Sequence, residues 1–269
     1  MCRDDLIVRL SCSCGETIRA TQAHAFDKAL VVGELCKNCG SFTTNAKDFY
    51  PVFQLSEIEL SDVEKNMTPA EKEITSMMLN IAQERCMENP RVIELYAESA
   101  RISRFLGSKG WKVTAMDPLR EHIEQLLSKN VNALQGNVED FLSVEFEEDI
   151  DFIVICESVV RIEGILDVLD RLLKKCPSSV IMCSSPSLER NALFPPNGAI
   201  DYAVRGVKFV PSFEFLKNAL DAIGKVDLKV VSHDGYQFLK IPFFGRLIAL
   251  YFKRRKMLIY SLVWSVEID

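Results

Sequence analysis

PRVIELYAESARISRFLGSKGWKVTAMDP, residues 90–118, decides the fold. RVIELY is a short apolar run of the kind that makes a buried strand. SARISRFLGSKG carries Ile102, Phe105 and Leu106 at helical spacing and ends on Gly110, a helix with a glycine stop. WKVTAM is rich in strand formers, and Asp117-Pro118 ends it. Strand, tight turn, helix and strand in this length form a βαβ unit, which builds a parallel sheet.

The alternation continues on the carboxyl side. PLREHIEQLLSK reads as a helix and VNALQG as a short strand. IDFIVICES is apolar throughout, the mark of a strand buried on both faces. VVRIEGILDVLDRLLKKC reads as a helix with Ile165, Leu169, Leu172 and Leu173 apolar, and SSVIMCSSP as a fifth strand. FVPSFEFLKNALDAIG is a helix with Ser212 as a plausible cap and Gly224 as its stop. KVDLKVVSHDGYQF and MLIYSLVWSVEI complete the series as strands six and seven. On the amino side, Thr68-Pro69-Ala70-Glu71 is a helix start. Thr68 caps, Pro69 takes the first helical position and Glu71 closes a capping box. Ile74, Met77, Met78, Ile81 and Cys86 then fall largely on one face.

In order and spacing, residues 70–269 resemble the class I S-adenosylmethionine-dependent methyltransferases. There the first strand runs into Glu/Asp-x-Gly-x-Gly-x-Gly. Glu94 stands at the leading acid, and Tyr96, Glu98 and Ala100 stand at the three glycine positions. Asp117 ends the second strand, where such folds hold ribose hydroxyls. The resemblance implies an α/β fold with a Rossmann-like seven-stranded sheet, helices on both faces, and strands six and seven as its antiparallel end. It implies S-adenosylmethionine as cofactor. Glu94, the turn residues Tyr96, Ala97 and Glu98, and the acid Glu157 after strand four would line its site. Asp117 would take the ribose, and Asn137 with Val138 the adenine edge. Cys156–Glu163 aligns with the family's Ser-Glu-Val-Leu-Glu-His-Leu pattern, with Arg161 in the histidine's place.

This cofactor has no phosphates, so the glycine-rich turn is not an anion cradle. It lets backbone approach the methionine portion in dihedrals that a Cβ opposes. Glu98 brings a negative charge there, beside the cofactor's carboxylate or paired with its amino group or sulfonium. Methyl transfer is chiefly alignment, and a base is needed only if the acceptor loses a proton. His233 and Tyr236, at the loop end of strand six, are positioned to face an acceptor, and the loop within 184–206 to shape its pocket. Plainer roles stand beside these. Asp117 and Asn137 suit helix caps. Arg161 suits a solvated helix start, and His122 a helix surface.

Residues 1–50 read as a separate small β unit. Cys12-Ser-Cys14-Gly15 and Cys36-Lys-Asn-Cys39-Gly40 are two knuckles separated by 21 residues, resembling a zinc ribbon. Four thiolates from two turns suit a tetrahedral zinc site, and a metal staple suits a unit too short to bury much core. A regular first knuckle needs cysteine at Ser11, so Cys2 or His24 is an alternative ligand. The plainer reading is a β element with incidental buried cysteines. Residues 51–89 make a connector and leading helix, and 90–269 the methyltransferase-like domain.

Composition narrows function. A net charge of -6 gives no basic footprint for nucleic acid. No apolar run is long enough to span a membrane. The longest, IPFFGRLIALYFKRRKMLIYSLVW, is split by Lys253, Arg254, Arg255 and Lys256. FFGRLIALYFKRRK suits an inserted helix on the core better than a membrane contact. The nine cysteines and the absence of an export signal imply a reducing, cytoplasmic setting with thiols free or on metal. The expectation is a methyltransferase with a small-molecule acceptor, its ribbon holding that acceptor or a protein partner. The alternative is a methyltransferase fold serving as a zinc-containing interaction module. A nucleotide-linked oxidoreductase is disfavoured, because no phosphate cradle is visible.

Overall fold

The computed structural model describes residues 8–12, 14–20, 23–26, 29–39, 41–44, 63–145, 149–156, 158–162, 164–188, 209–211, 213–231 and 259–267. Five strands come first: β1 (Val8–Ser11), β2 (Thr17–Ala20), β3 (Ala23–Phe26), β4 (Ala29–Leu35) and β5 (Phe42–Thr44). Helices α1 (Val63–Asn66) and α2 (Pro69–Glu84) lead into β6 (Arg91–Leu95), α3 (Arg101–Ser108), β7 (Lys112–Asp117), α4 (Arg120–Leu127), β8 (Ala133–Gln135) and α5 (Val138–Ser143). Then come β9 (Phe152–Ile155), a 3-10 turn (Ser158–Arg161), α6 (Ile165–Lys175) and β10 (Val180–Leu188). The last elements are β11 (Phe209–Val210), α7 (Phe213–Asp221), β12 (Lys225–Val231) and β13 (Ile259–Glu267).

The main sheet has seven strands in the order β12-β13-β10-β9-β6-β7-β8. β6 to β10 pair in parallel, and β13 runs antiparallel to β10. Strands six and seven, β12 and β13, form the antiparallel end that the sequence suggests, with β13 reversed between β12 and β10. β12 is antiparallel to β13 and therefore runs with the rest.

Strand alternation divides the core into two faces. Ile93, Leu95, Ile153, Ile155, Ile181 and Trp264 join residues of α5, α6 and α7 in one cluster. Val92, Phe152, Val154, Val180, Met182 and Val263 join α2 and α3 in the other. Every residue of β9 is fully buried, as its unbroken apolar run requires. The leading helix α2 starts as its sequence dictates. Glu71 N donates to Thr68 Oγ1 at 3.2 Å, and Thr68 N donates to Glu71 Oε2 at 2.6 Å. Its face buries Ile74 and Met78 completely, each stabilising by about 1.5–3 kcal/mol.

At the amino end, β1 pairs with β2, while β3, β4 and β5 form a second sheet. That sheet has an unexpected fourth strand. β11, from far along the chain, pairs antiparallel with β5. Among the described residues no helix is long and apolar enough to cross a membrane.

Candidate functional site

The four knuckle cysteines converge. Cys12 Sγ lies 3.6 Å from Cys39 Sγ, Cys14 Sγ lies 3.6 Å from Cys36 Sγ, and all four fall within 4.8 Å of one another. A tetrahedral zinc with bonds of ~2.3 Å spaces its sulfurs by ~3.8 Å. The donor set and spacing therefore fit the metal. Gly15 has φ +90°, and its amide donates to the Cys12 carbonyl at 2.9 Å, which tightens the short first knuckle. Asn38 Nδ2 reaches Cys14 Sγ at 3.9 Å, an outer-shell donor to the sulfur. Burial pushes the Cys12 thiol up, so a bound cation is what would hold it as thiolate. His24 lies in β3. Cys2 lies outside the described residues.

The second centre is the carboxyl edge of β6, β7 and β8. The turn after β6 holds Tyr96, Glu98 and Ala100 at φ 55°, 48° and 47°. The backbone takes the left-handed conformation at each of these alternate positions. An L-residue there costs roughly 1–2 kcal/mol, so surrounding contacts must impose it. Tyr96 is buried in the core cluster under α5 and α6. Ala97 N donates to the Met116 carbonyl at 3.1 Å, and Ala100 N to the Ala97 carbonyl at 2.6 Å. Glu98 N donates to Asp117 Oδ2 at 3.0 Å.

Two acids have structural duties that their sequence positions do not reveal. Glu94 is buried, and its Oε2 accepts from Ser103 N at 2.9 Å. Ala100, at the start of α3, offers no side-chain cap, so Glu94 supplies the carboxylate at this helix N-terminus. Burial raises its pKa to about 7. Asp117 is buried too. Besides Glu98 N it accepts from Leu119 N at 2.9 Å, and His122 Nδ1 lies 3.0 Å from Oδ1. His122 is thus buried against Asp117, not on the surface as its sequence suggested. Burial opposes its charged form, but the hydrogen bond and charge of Asp117 outweigh that and raise its pKa.

Arg161 also departs from expectation. It is not a solvated helix start. Its Nη1 donates to Glu98 Oε1 at 2.6 Å, joining the turn after β6 to the segment after β9. Glu98 thus has a protein cation as a partner.

These positions sit at the carboxyl ends of adjacent parallel strands, where open α/β sheets bind ligands. Solved structures share the fold. The plantazolicin methyltransferase BpumL, in complex with a triazolic desmethylPZN analog and SAH, matches with TM-score 0.52 and 13% identity over 79% of this chain and 91% of that chain. The plantazolicin methyltransferase BamL, also with SAH, matches with TM-score 0.51 and 15% identity over 79% and 90%. A chain from the complex of the Haloferax volcanii Trm112 methyltransferase activator with a methyltransferase matches with TM-score 0.51 and 13% identity over 74% and 93%. The fold is the Rossmann-like methyltransferase fold. No family model and no curated protein sequence matches the chain.

Within the methyltransferase fold, the remaining candidates divide. Asn137 Oδ1 accepts from Glu139 N at 2.8 Å and Asp140 N at 3.1 Å, so its side chain caps α5. Val138 is buried in the core. Glu157, His233, Tyr236, Ser212 and most of the loop within 184–206 lie outside the described residues, as does FFGRLIALYFKRRK. The sequence reading missed Arg101. Its Nε donates to both Glu71 oxygens at 2.9 Å, locking α2 to the start of α3 beside the turn. Thirty residues separate the partners, so no local pattern signals the pair.

Proposed function

We propose that this protein is an S-adenosylmethionine-dependent methyltransferase acting on a small-molecule acceptor, with structural zinc in its four-cysteine site. The observation that carries this is the turn Tyr96–Ala100. Its backbone keeps left-handed dihedrals at 96, 98 and 100 with no glycine there to favour them. Strain of this kind persists where function needs the geometry. Glu94 and Asp117 would frame the methionine and ribose ends of the cofactor, with the turn amides between. Asn137 and Val138 would meet the adenine through their backbone, since the Asn137 side chain is engaged. The cofactor supplies the electrophilic methyl when bound, and the chain's own residues orient it and exclude water. Four thiols on one metal suit a reducing compartment such as the cytoplasm.

A second reading has one observation of its own. The Asp117 carboxylate already serves two backbone amides and His122. A ribose would have to displace one of these or use the remaining lone pair on Oδ2. If nothing does, the fold is an interaction module with a closed pocket. Isothermal titration with S-adenosylmethionine and S-adenosylhomocysteine separates the readings. Saturable binding supports the enzyme; neither heat nor a thermal shift at millimolar ligand removes it. The double variant Tyr96→Gly/Glu98→Gly then tells whether the turn side chains alone close the site.

A further inference from the structure

We propose that the metal knuckles position Arg161, so that metal binding and cofactor binding are energetically linked. The connecting element is β11. Phe209 pairs with Thr43 and Val210 with Phe42, so a strand from beyond β10 completes the sheet that adjoins the second knuckle. Val210 is fully buried. From α7, Phe215 packs on the cluster of the four cysteines. Residues of the C-terminal half thus cover the metal site.

β11 also lies against β10 and against the 3-10 turn Ser158–Arg161. That turn carries the guanidinium that reaches Glu98, whose amide in turn bonds Asp117. Arg161 Nε is buried without a hydrogen-bond partner among the described residues. Among the described residues the side chain is held by the packing of its turn and by one ion pair, so its position follows that of the turn. Without metal, the N-terminal unit lacks the staple that a core this small needs. β5 then loses its frame, β11 its partner and the Arg161 turn its neighbour. Linkage is reciprocal, so a bound cofactor must tighten the metal by the same factor. The cofactor half of this proposal rests on the function proposed above; the positioning half does not.

The test uses the full chain in three forms: zinc-loaded, chelator-stripped, and a zinc-loaded double variant, Val210→Gly/Phe215→Ala. Amide exchange over 158–162 and 209–221 reports positioning, and titration with S-adenosylhomocysteine reports the linkage. Stripping should lower protection in both segments and weaken the ligand about tenfold, within the usual span of coupling. Saturating ligand should lower the zinc dissociation constant by that same factor. The double variant should retain one zinc and show the same losses, which separates positioning from collapse of the N-terminal unit. Unchanged protection on stripping overturns the proposal. So does a zinc-replete double variant that binds like the wild type. Lost protection in a wild type that never binds the ligand supports the positioning and overturns the cofactor reading.

Discussion

The knuckles and the turn after β6 reach their geometry by opposite routes. At the knuckles, Cys12, Cys14, Cys36 and Cys39 bring four sulfurs within 4.8 Å of one another. A tetrahedral zinc there would need those side chains, because it is their thiolates that would hold it. At the turn, residues 96, 98 and 100 hold φ between 47° and 55° in tyrosine, glutamate and alanine. The conformation is imposed from outside, by the Tyr96 ring in the core, by Asp117 on the Glu98 amide and by Arg161 on its carboxylate. A metal site can be lost with one atom. A backbone shape can survive several changes of side chain if its neighbours hold it.

The largest effect should come from breaking the metal site. Structural zinc contributes on the order of 10 kcal/mol to small metal-dependent units. Cys36→Ser should lose the metal and leave residues 8–44 open to protease, while residues 91–188 keep their exchange protection. Metal analysis with limited proteolysis checks this, and a zinc-replete, protease-resistant variant would contradict it. Arg101→Ala comes next. It takes the cationic partner, with its two bonds of 2.9 Å, from the buried Glu71 carboxylate and leaves the Thr68 amide there, and should cost about 3 kcal/mol in urea unfolding. Adding Glu71→Gln should recover part of that loss.

Local patterns made much of this fold legible. The apolar run of β9, the capping box at Thr68 and the glycine-marked first knuckle each state their structure in a few consecutive residues. His122 is buried where its sequence suggests a surface position, although a local signal for burial is there. It lies four residues before Leu126, on the buried face of α4, and five after Asp117. β11 was not legible, because a two-residue strand has no periodicity and its partner lies more than 160 residues earlier. The Glu98–Arg161 and Glu71–Arg101 pairs were hidden for the same reason. They exist only once the fold has brought distant segments together.

Glu94 tests how the turn's supports are charged. Its pKa is raised to about 7 by burial. A raised carboxyl means that the native state keeps a proton the unfolded chain releases above its ordinary value. Stability should therefore fall as pH rises from about 4.5 to about 7 and then level off. Glu94→Gln cannot titrate, so the difference between variant and wild type should grow across that window, by on the order of 3 kcal/mol. Urea midpoints at pH 4.5, 6 and 8 measure it. A difference that shrinks with pH would mean that Glu94 is stabilised as an anion.

The smallest effect is also the sharpest test of an imposed backbone. Ala97 and Ala100 are both buried alanines of one turn, but only Ala100 has a positive φ. Replacing either with glycine removes a buried methyl worth about 0.8 kcal/mol and adds the entropy cost of glycine, roughly 0.5–1 kcal/mol. Only Ala100→Gly also relieves a left-handed Cβ, which returns about 1–2 kcal/mol. Ala97→Gly should therefore destabilise by about 1.5 kcal/mol while Ala100→Gly stays near zero. Equal losses in the two would show that Ala100 carries no strain. The turn would then adopt its shape unaided, and neither its neighbours nor a ligand would be needed to explain it.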